Sequence, residues 1–122
     1  MIKLSTKKML LKYARNTEFP NEGGVYILKN IRNNKVYIGG TRDLRARLAT
    51  HRSLLLSNKH HSIELQNAFN KNVLIVKILV VLPHANPSLL KEAERMFIQA
   101  SPHIFPSGII NKRLIHYVDE NV

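Results

Sequence analysis

Cysteine is absent from this sequence, so disulfides and thiolate metal sites are excluded. No apolar run approaches the roughly 20 residues needed to span a bilayer. Near the start the longest apolar stretch is Met9 to Leu11, with lysines on both sides, too short for the core of a signal peptide. These absences make an intracellular protein, away from membranes, the default expectation. Acidic residues are scarce as well, eight against nineteen Lys and Arg, for a net charge of +11. The excess is uneven: residues 1–52 hold twelve basic and three acidic groups, and residues 53–122 hold seven and five. A polyanion would be drawn to the first half and oriented by it, which points to nucleic acid. An anionic membrane surface is the weaker reading, because the charge is not segregated onto one long amphipathic helix.

What is present is enough for one core and no more: 122 residues, 44% of them hydrophobic. Ser5 to Arg15 has the pattern of a basic helix with Met9, Leu10 and Tyr13 on its apolar side. Pro20 and the pair Gly23-Gly24 mark a loop. Val25–Lys29 and Lys35–Ile38 are rich in β-branched and aromatic residues, and Asn33-Asn34 between them tolerates a tight turn, so the two predict a β-hairpin. Thr41 is positioned to cap a helix running to about Leu56, with Leu44, Leu48, His51 and Leu55 on one face and Arg47 one turn before His51. A second helix is expected after Ser62, burying Ile63, Leu65, Ala68 and Phe69. Val73 to Leu82 reads as a central strand, and Pro83 and Pro87 bracket a loop. Ser88 to Ala100 reads as a third helix with Leu89, Ala93, Met96, Phe97 and Ala100 as its core stripe, ended by Pro102 and Pro106. Gly108 to Asn111 returns as a short edge strand. The order hairpin–helix–helix–strand–helix predicts an α+β domain, helices packed on a small, mainly antiparallel three-stranded sheet.

Five spaced blocks carry a resemblance. Gly24-Val25-Tyr26 and Tyr37-Ile38-Gly39 flank the hairpin. Arg42 to Leu48 and His51 follow, then His60-His61-Ser62 with Leu65 to Lys71, then Glu92 to Ile98, and finally Ile110-Asn111. In this order and spacing the chain resembles the GIY-YIG nuclease family, closest to the catalytic domain of its homing endonucleases. The resemblance implies a nuclease domain over residues 21–115, preceded by a basic extension over 1–20 and followed by a tail over 116–122. It implies cleavage of double-stranded DNA, with Tyr26, Tyr37, Arg47, His51, His60, Glu94 and Asn111 as site residues and Glu94 as the ligand of Mg²⁺ or Mn²⁺. Gly40-Thr41 stands where many members carry a small polar pair, a change expected to be harmless.

The residue types suit that chemistry. Phosphodiester hydrolysis needs an activated water, stabilisation of charge on the phosphate and help for the departing oxygen. One carboxylate suffices for Mg²⁺, which keeps most of its waters. Arg47 offers a planar fork of donors to phosphate oxygens. The family assigns the base to Tyr26, a role its phenol can take only if cations stabilise the phenolate; His60, with an ordinary pKa near neutrality, is the rival. Tyr37 is expected to orient water or phosphate. His51 lies on the apolar helix face and reads equally as a hydrogen-bonded core residue. Glu92 and Glu94 lie about 200° apart around a helix, so one is a surface charge, and Glu92 is the choice. Lys7, Lys8, Lys12, Arg42, Arg45 and Arg52 are the expected phosphate contacts. A domain this small leaves target choice to another region, a partner or its own loops. The alternative to an enzyme is a non-catalytic nucleic-acid-binding module that keeps the nuclease fold.

Overall fold

A computed structural model describes residues 9–111. Strand β1 (Met9–Leu10) leads through two short 3₁₀ turns to β2 (Gly24–Asn30) and β3 (Val36–Thr41). Helices α1 (Leu44–Leu56) and α2 (Ile63–Asn70) follow, then β4 (Leu74–Val81) and α3 (Pro87–Ile104). The strands are antiparallel and lie in the order β1-β4-β2-β3. The expected α+β architecture is present, with a fourth strand where three were expected.

The hairpin forms for local reasons. The Asn30 side chain accepts hydrogen bonds from the backbone N–H of Arg32 and Asn33, and Asn34 takes a left-handed φ of 63°, which Asn tolerates. The resulting register sets Tyr26 opposite Gly39 and Leu28 opposite Tyr37. Tyr26 and Tyr37 therefore share one face of the sheet. That face packs Tyr26 and Leu28 with Leu44, Leu48 and Leu55 of α1 and Leu65, Ala68 and Phe69 of α2. On the opposite face Val25, Ile27, Val36, Ile38 and Val80 pack with Ile98 of α3.

Several expectations are corrected. Met9 to Arg15 is no helix: Met9–Leu10 pairs with β4 and Leu11–Tyr13 is a 3₁₀ turn, while Ser5 to Lys8 lie outside the described residues. Leu11, Ala14 and Phe19 enter the main core, so packing overrides the local helical pattern. Thr41 ends β3, and Asp43 caps α1 in its place by accepting from the Ala46 N–H. Ile63 is 74% exposed, because the first position of α2 faces away from the sheet. Helix α3 buries Leu90, Glu94, Ile98 and Ser101, leaving Leu89 and Met96 exposed. Ala93 and Phe97 of the expected stripe do pack against the core, but the most buried line is rotated by one residue so that a carboxylate faces inward, which a hydrophobic pattern cannot anticipate. Pro102 sits inside the helix, which continues to Ile104, since a proline near the end removes one hydrogen bond without reversing the chain. Gly108 to Asn111 contributes one parallel bridge, Ile109 to Val36, along the outer edge of β3.

Candidate active site

The site is built around the edge strand β3, from both of its faces. Tyr26 projects from β2 toward α1 and is 1% exposed. Its ring crosses Gly39, where an added Cβ would stand 2.3 Å from the phenol oxygen. The glycine of the second motif is thus the gap that admits the tyrosine of the first.

The Tyr26 oxygen lies 2.7 Å from His51 Nε2 and is hydrogen-bonded by the Arg47 guanidinium. Arg47 and His51 reach it from successive turns of α1, as their four-residue spacing requires. Burial pushes the phenol pKa upward, and Tyr37 adds to this through its charge; the charge and hydrogen bond of Arg47 oppose the rise. Tyr37 stands beside the pair, its ring centroid 6.4 Å from Tyr26 and 5.5 Å from His51.

Behind His51 lies His60, from the loop between α1 and α2. His51 Nδ1 and His60 Nε2 are 2.9 Å apart, and His60 Nδ1 accepts from the Ser62 backbone N–H at 3.0 Å. Both histidines are buried and held neutral near pH 7. Burial lowers His51 well below the ordinary imidazole value, with Arg47 adding; burial, then His61, lowers His60 to about 4. Gln66, a residue the sequence reading did not single out, anchors this loop. Its Oε1 accepts from the His60 backbone N–H at 3.1 Å and its Nε2 donates to the Leu55 carbonyl at 2.9 Å. The available signal was a polar side chain within the apolar face of α2, between Leu65 and Phe69.

From the other face comes Glu94, 7% exposed, near enough to Tyr26 for its charge to act on the phenol. It rests against Gly40, where a Cβ would stand 3.0 Å from Glu94 Oε1 and 3.1 Å from Glu94 Cβ. A side chain at Gly40 would press on the carboxylate, which would have to give by a few tenths of an ångström. Glu92 is exposed and bonded to Arg95, on the surface where it was expected.

Asn111 continues the edge pairing with its side chain. Its Oδ1 accepts from the Ile38 N–H and its Nδ2 donates to the Ile38 carbonyl, both at 2.9 Å. This holds the backbone between Tyr37 and Gly39, and no contact ties Asn111 to the phenol itself. Of the expected phosphate contacts, Lys7 and Lys8 lie outside the described residues, and Arg42 is exposed. Arg45 donates to the Phe19 carbonyl, and Arg52 to the carbonyls of Leu11 and Lys12. These two arginines clamp the first segment, Lys12 included, onto α1.

The sequence and the fold both have counterparts among known proteins. The GIY-YIG catalytic domain matches residues 22–103. Intron-associated endonuclease 1 of Enterobacteria phage T4 is 39% identical over 80 residues, 64% of this chain and 32% of that protein. The chain thus spans about a third of that relative's length. The catalytic domain of homing endonuclease I-TevI superposes with a TM-score of 0.57 at 34% identity, covering 71% of this chain and 97% of that one. A point mutant of the catalytic domain of intron endonuclease I-TevI gives 0.54 at 38% identity, covering 64% and 81%.

Proposed function

This chain belongs to the GIY-YIG catalytic-domain family, and on that footing we propose that it is a divalent-metal-dependent endonuclease that hydrolyses phosphodiester bonds of double-stranded DNA. One observation carries the mechanism: a buried tyrosine oxygen meets both an arginine guanidinium and a histidine nitrogen. Two nitrogen partners lower the cost of a phenolate, which burial alone would forbid. With its own proton given up to solvent, the Tyr26 phenolate removes a proton from the attacking water, and the water oxygen bonds to phosphorus. The Arg47 guanidinium meets the charge that grows on the phosphate oxygens. The P–O3′ bond breaks and the 3′ oxygen leaves, gaining a proton from solvent. His60 is the poorer base, because both of its ring nitrogens are already committed, to His51 and to Ser62.

The donor set fits a cation that keeps most of its waters. Glu94 is a buried carboxylate beside the phenol, and no group of three or more His, Cys, Asp or Glu suited to a metal occurs among the described residues. Mg²⁺ or Mn²⁺, held by Glu94, water and substrate phosphate, suits such a site. When bound it would stabilise charge on the phosphate and on the departing oxygen. Exposed Arg42 and the basic first segment supply phosphate attraction, which positions a duplex without choosing a sequence. We assign target choice to another region, a partner or this domain's loops. No described helix is long and apolar enough to cross a membrane, and a DNA substrate places the work inside a cell.

The test is supercoiled-plasmid cleavage with and without Mg²⁺ or Mn²⁺. Nicked or linear product that vanishes on chelation is expected. Tight DNA binding without cleavage in either metal would replace the enzyme with a binding module.

A further inference from the structure

We infer that His60 is a positioning residue, fixing His51 in the tautomer whose Nε2–H donates to the Tyr26 oxygen. A backbone N–H can only donate, so His60 Nδ1, 3.0 Å from the Ser62 N–H, carries no proton. A neutral imidazole has one N–H, and here it must be on Nε2. That nitrogen lies 2.9 Å from His51 Nδ1, so it donates and leaves His51 Nδ1 bare. The single proton of His51 then sits on Nε2, 2.7 Å from the phenol oxygen. The opposite direction would place a His60 Nδ1–H against the Ser62 N–H, two donors facing each other. Burial keeps both rings neutral and so keeps the deduction intact at pH 7.

The chain starts at an amide that does not titrate, and Gln66 holds it in place. Gln66 Nε2 donates to the Leu55 carbonyl at 2.9 Å and to Asn70 Oδ1 at 3.0 Å, which turns Oε1 toward the His60 backbone N–H. The buried amide thereby ties the end of α1 to the loop that carries His60.

Two consequences follow at the phenol. Its lone pairs receive His51 Nε2–H and Arg47, so its own hydroxyl proton points away from both nitrogens. His51 also cannot accept that proton, since the facing nitrogen already bears one. The tautomer ensures that His51 supports a phenolate and does not act as a base behind it. This catalytic consequence rests on the reading of Tyr26 as proton acceptor; the tautomer assignment does not.

The experiment uses the full chain with ¹⁵N-labelled histidine, without DNA or metal. Long-range ¹H–¹⁵N correlation at pH 7 should show His51 and His60 each protonated at Nε2 and bare at Nδ1. A His51 ring protonated at Nδ1 overturns the inference, whatever the activity. His60→Phe keeps a ring but no N–H; it should lower the single-turnover cleavage rate about tenfold or more, leave DNA affinity in Ca²⁺ unchanged, and mix the His51 tautomers. His60→Gln restores an N–H donor and should recover part of the rate. Wild-type cleavage by folded His60→Phe, with His51 still protonated at Nε2, also overturns it. Should that variant fail to fold, the wild-type spectrum still decides. If Tyr26→Phe cleaves normally while the tautomers are as inferred, the base assignment falls and the tautomer lock stands.

Discussion

On the α1 side of β3 the site residues bind one another: Tyr26, His51 and His60 form a line of contacts of 2.7 and 2.9 Å, closed by a backbone amide. On the α3 side a carboxylate, Glu94, is placed by its closeness to the backbone at Gly40. The first face sets proton positions through directional bonds, where a misplaced N–H leaves a buried donor unmatched. On the second, the carboxylate side chain occupies the space that a Cβ at Gly40 would need. The tandem glycines divide this work, because successive strand residues face opposite sides. Gly39 admits the tyrosine from one face, and Gly40 admits the glutamate from the other.

The largest expected effect breaks the α3 side. Glu94→Ala removes the buried acid and should lower Mg²⁺-dependent cleavage by about 10³-fold with the fold intact by circular dichroism. Glu92→Ala, on an exposed residue of the same helix, should change the rate less than about twofold. Comparable losses in both would show that burial at Gly40 does not distinguish the two acids.

Tyr26→Phe breaks the α1 side at its end while keeping the ring. Single-turnover cleavage should slow by about 10²-fold or more, and DNA affinity in Ca²⁺ should fall by less than about tenfold. A rate equal to wild type would remove the phenol from the chemistry.

The glycine pair sharpens the contrast. A methyl on Gly39 would stand 2.3 Å from the Tyr26 oxygen, so the buried ring must move. Gly39→Ala should cost about 1–3 kcal/mol of stability in a denaturant titration and cut activity with it. Gly40→Ala meets Glu94 at 3.0 Å, a contact relieved by a shift of tenths of an ångström. It should keep near-wild-type stability, lower cleavage less than about tenfold and raise the metal concentration required. Equal penalties would mean that both faces are equally rigid.

The smallest effect is the pH dependence of stability. His60 has a folded pKa of about 4 against an ordinary 6.5, so between these values the unfolded chain binds the extra proton. The contribution is fully present above about 6.5 and is lost as pH falls toward 4; His51, also lowered, acts in the same direction. Melting temperature should therefore drop across this window, and His60→Gln should flatten the slope. An unchanged slope in the variant would show that His60 is not held neutral by its surroundings.

The sequence by itself determined whatever depends on neighbours along the chain. The hairpin follows from Asn30 and Asn34, and the buried face of α1 from the spacing of Leu44, Leu48, His51 and Leu55. That Glu92 and Glu94 lie on different faces follows from helix rotation; which of them is buried does not. The blocks that name the family were readable for the same reason, since each is short and their order is linear. Tertiary structure alone decided the rest. Met9 to Arg15 had a helical pattern but was drawn into a strand edge and the core. The inward line of α3 was set by where the helix meets β3, so the exposed Leu89 and Met96 misled the hydrophobic pattern. Arg45 and Arg52 read as phosphate contacts, and only packing revealed the carbonyls they clamp. The site's decisive bonds span 25 residues from Tyr26 to His51 and 73 from Ile38 to Asn111. A donor's direction is settled by the partner it meets in space, and periodicity along the chain carries no record of that meeting.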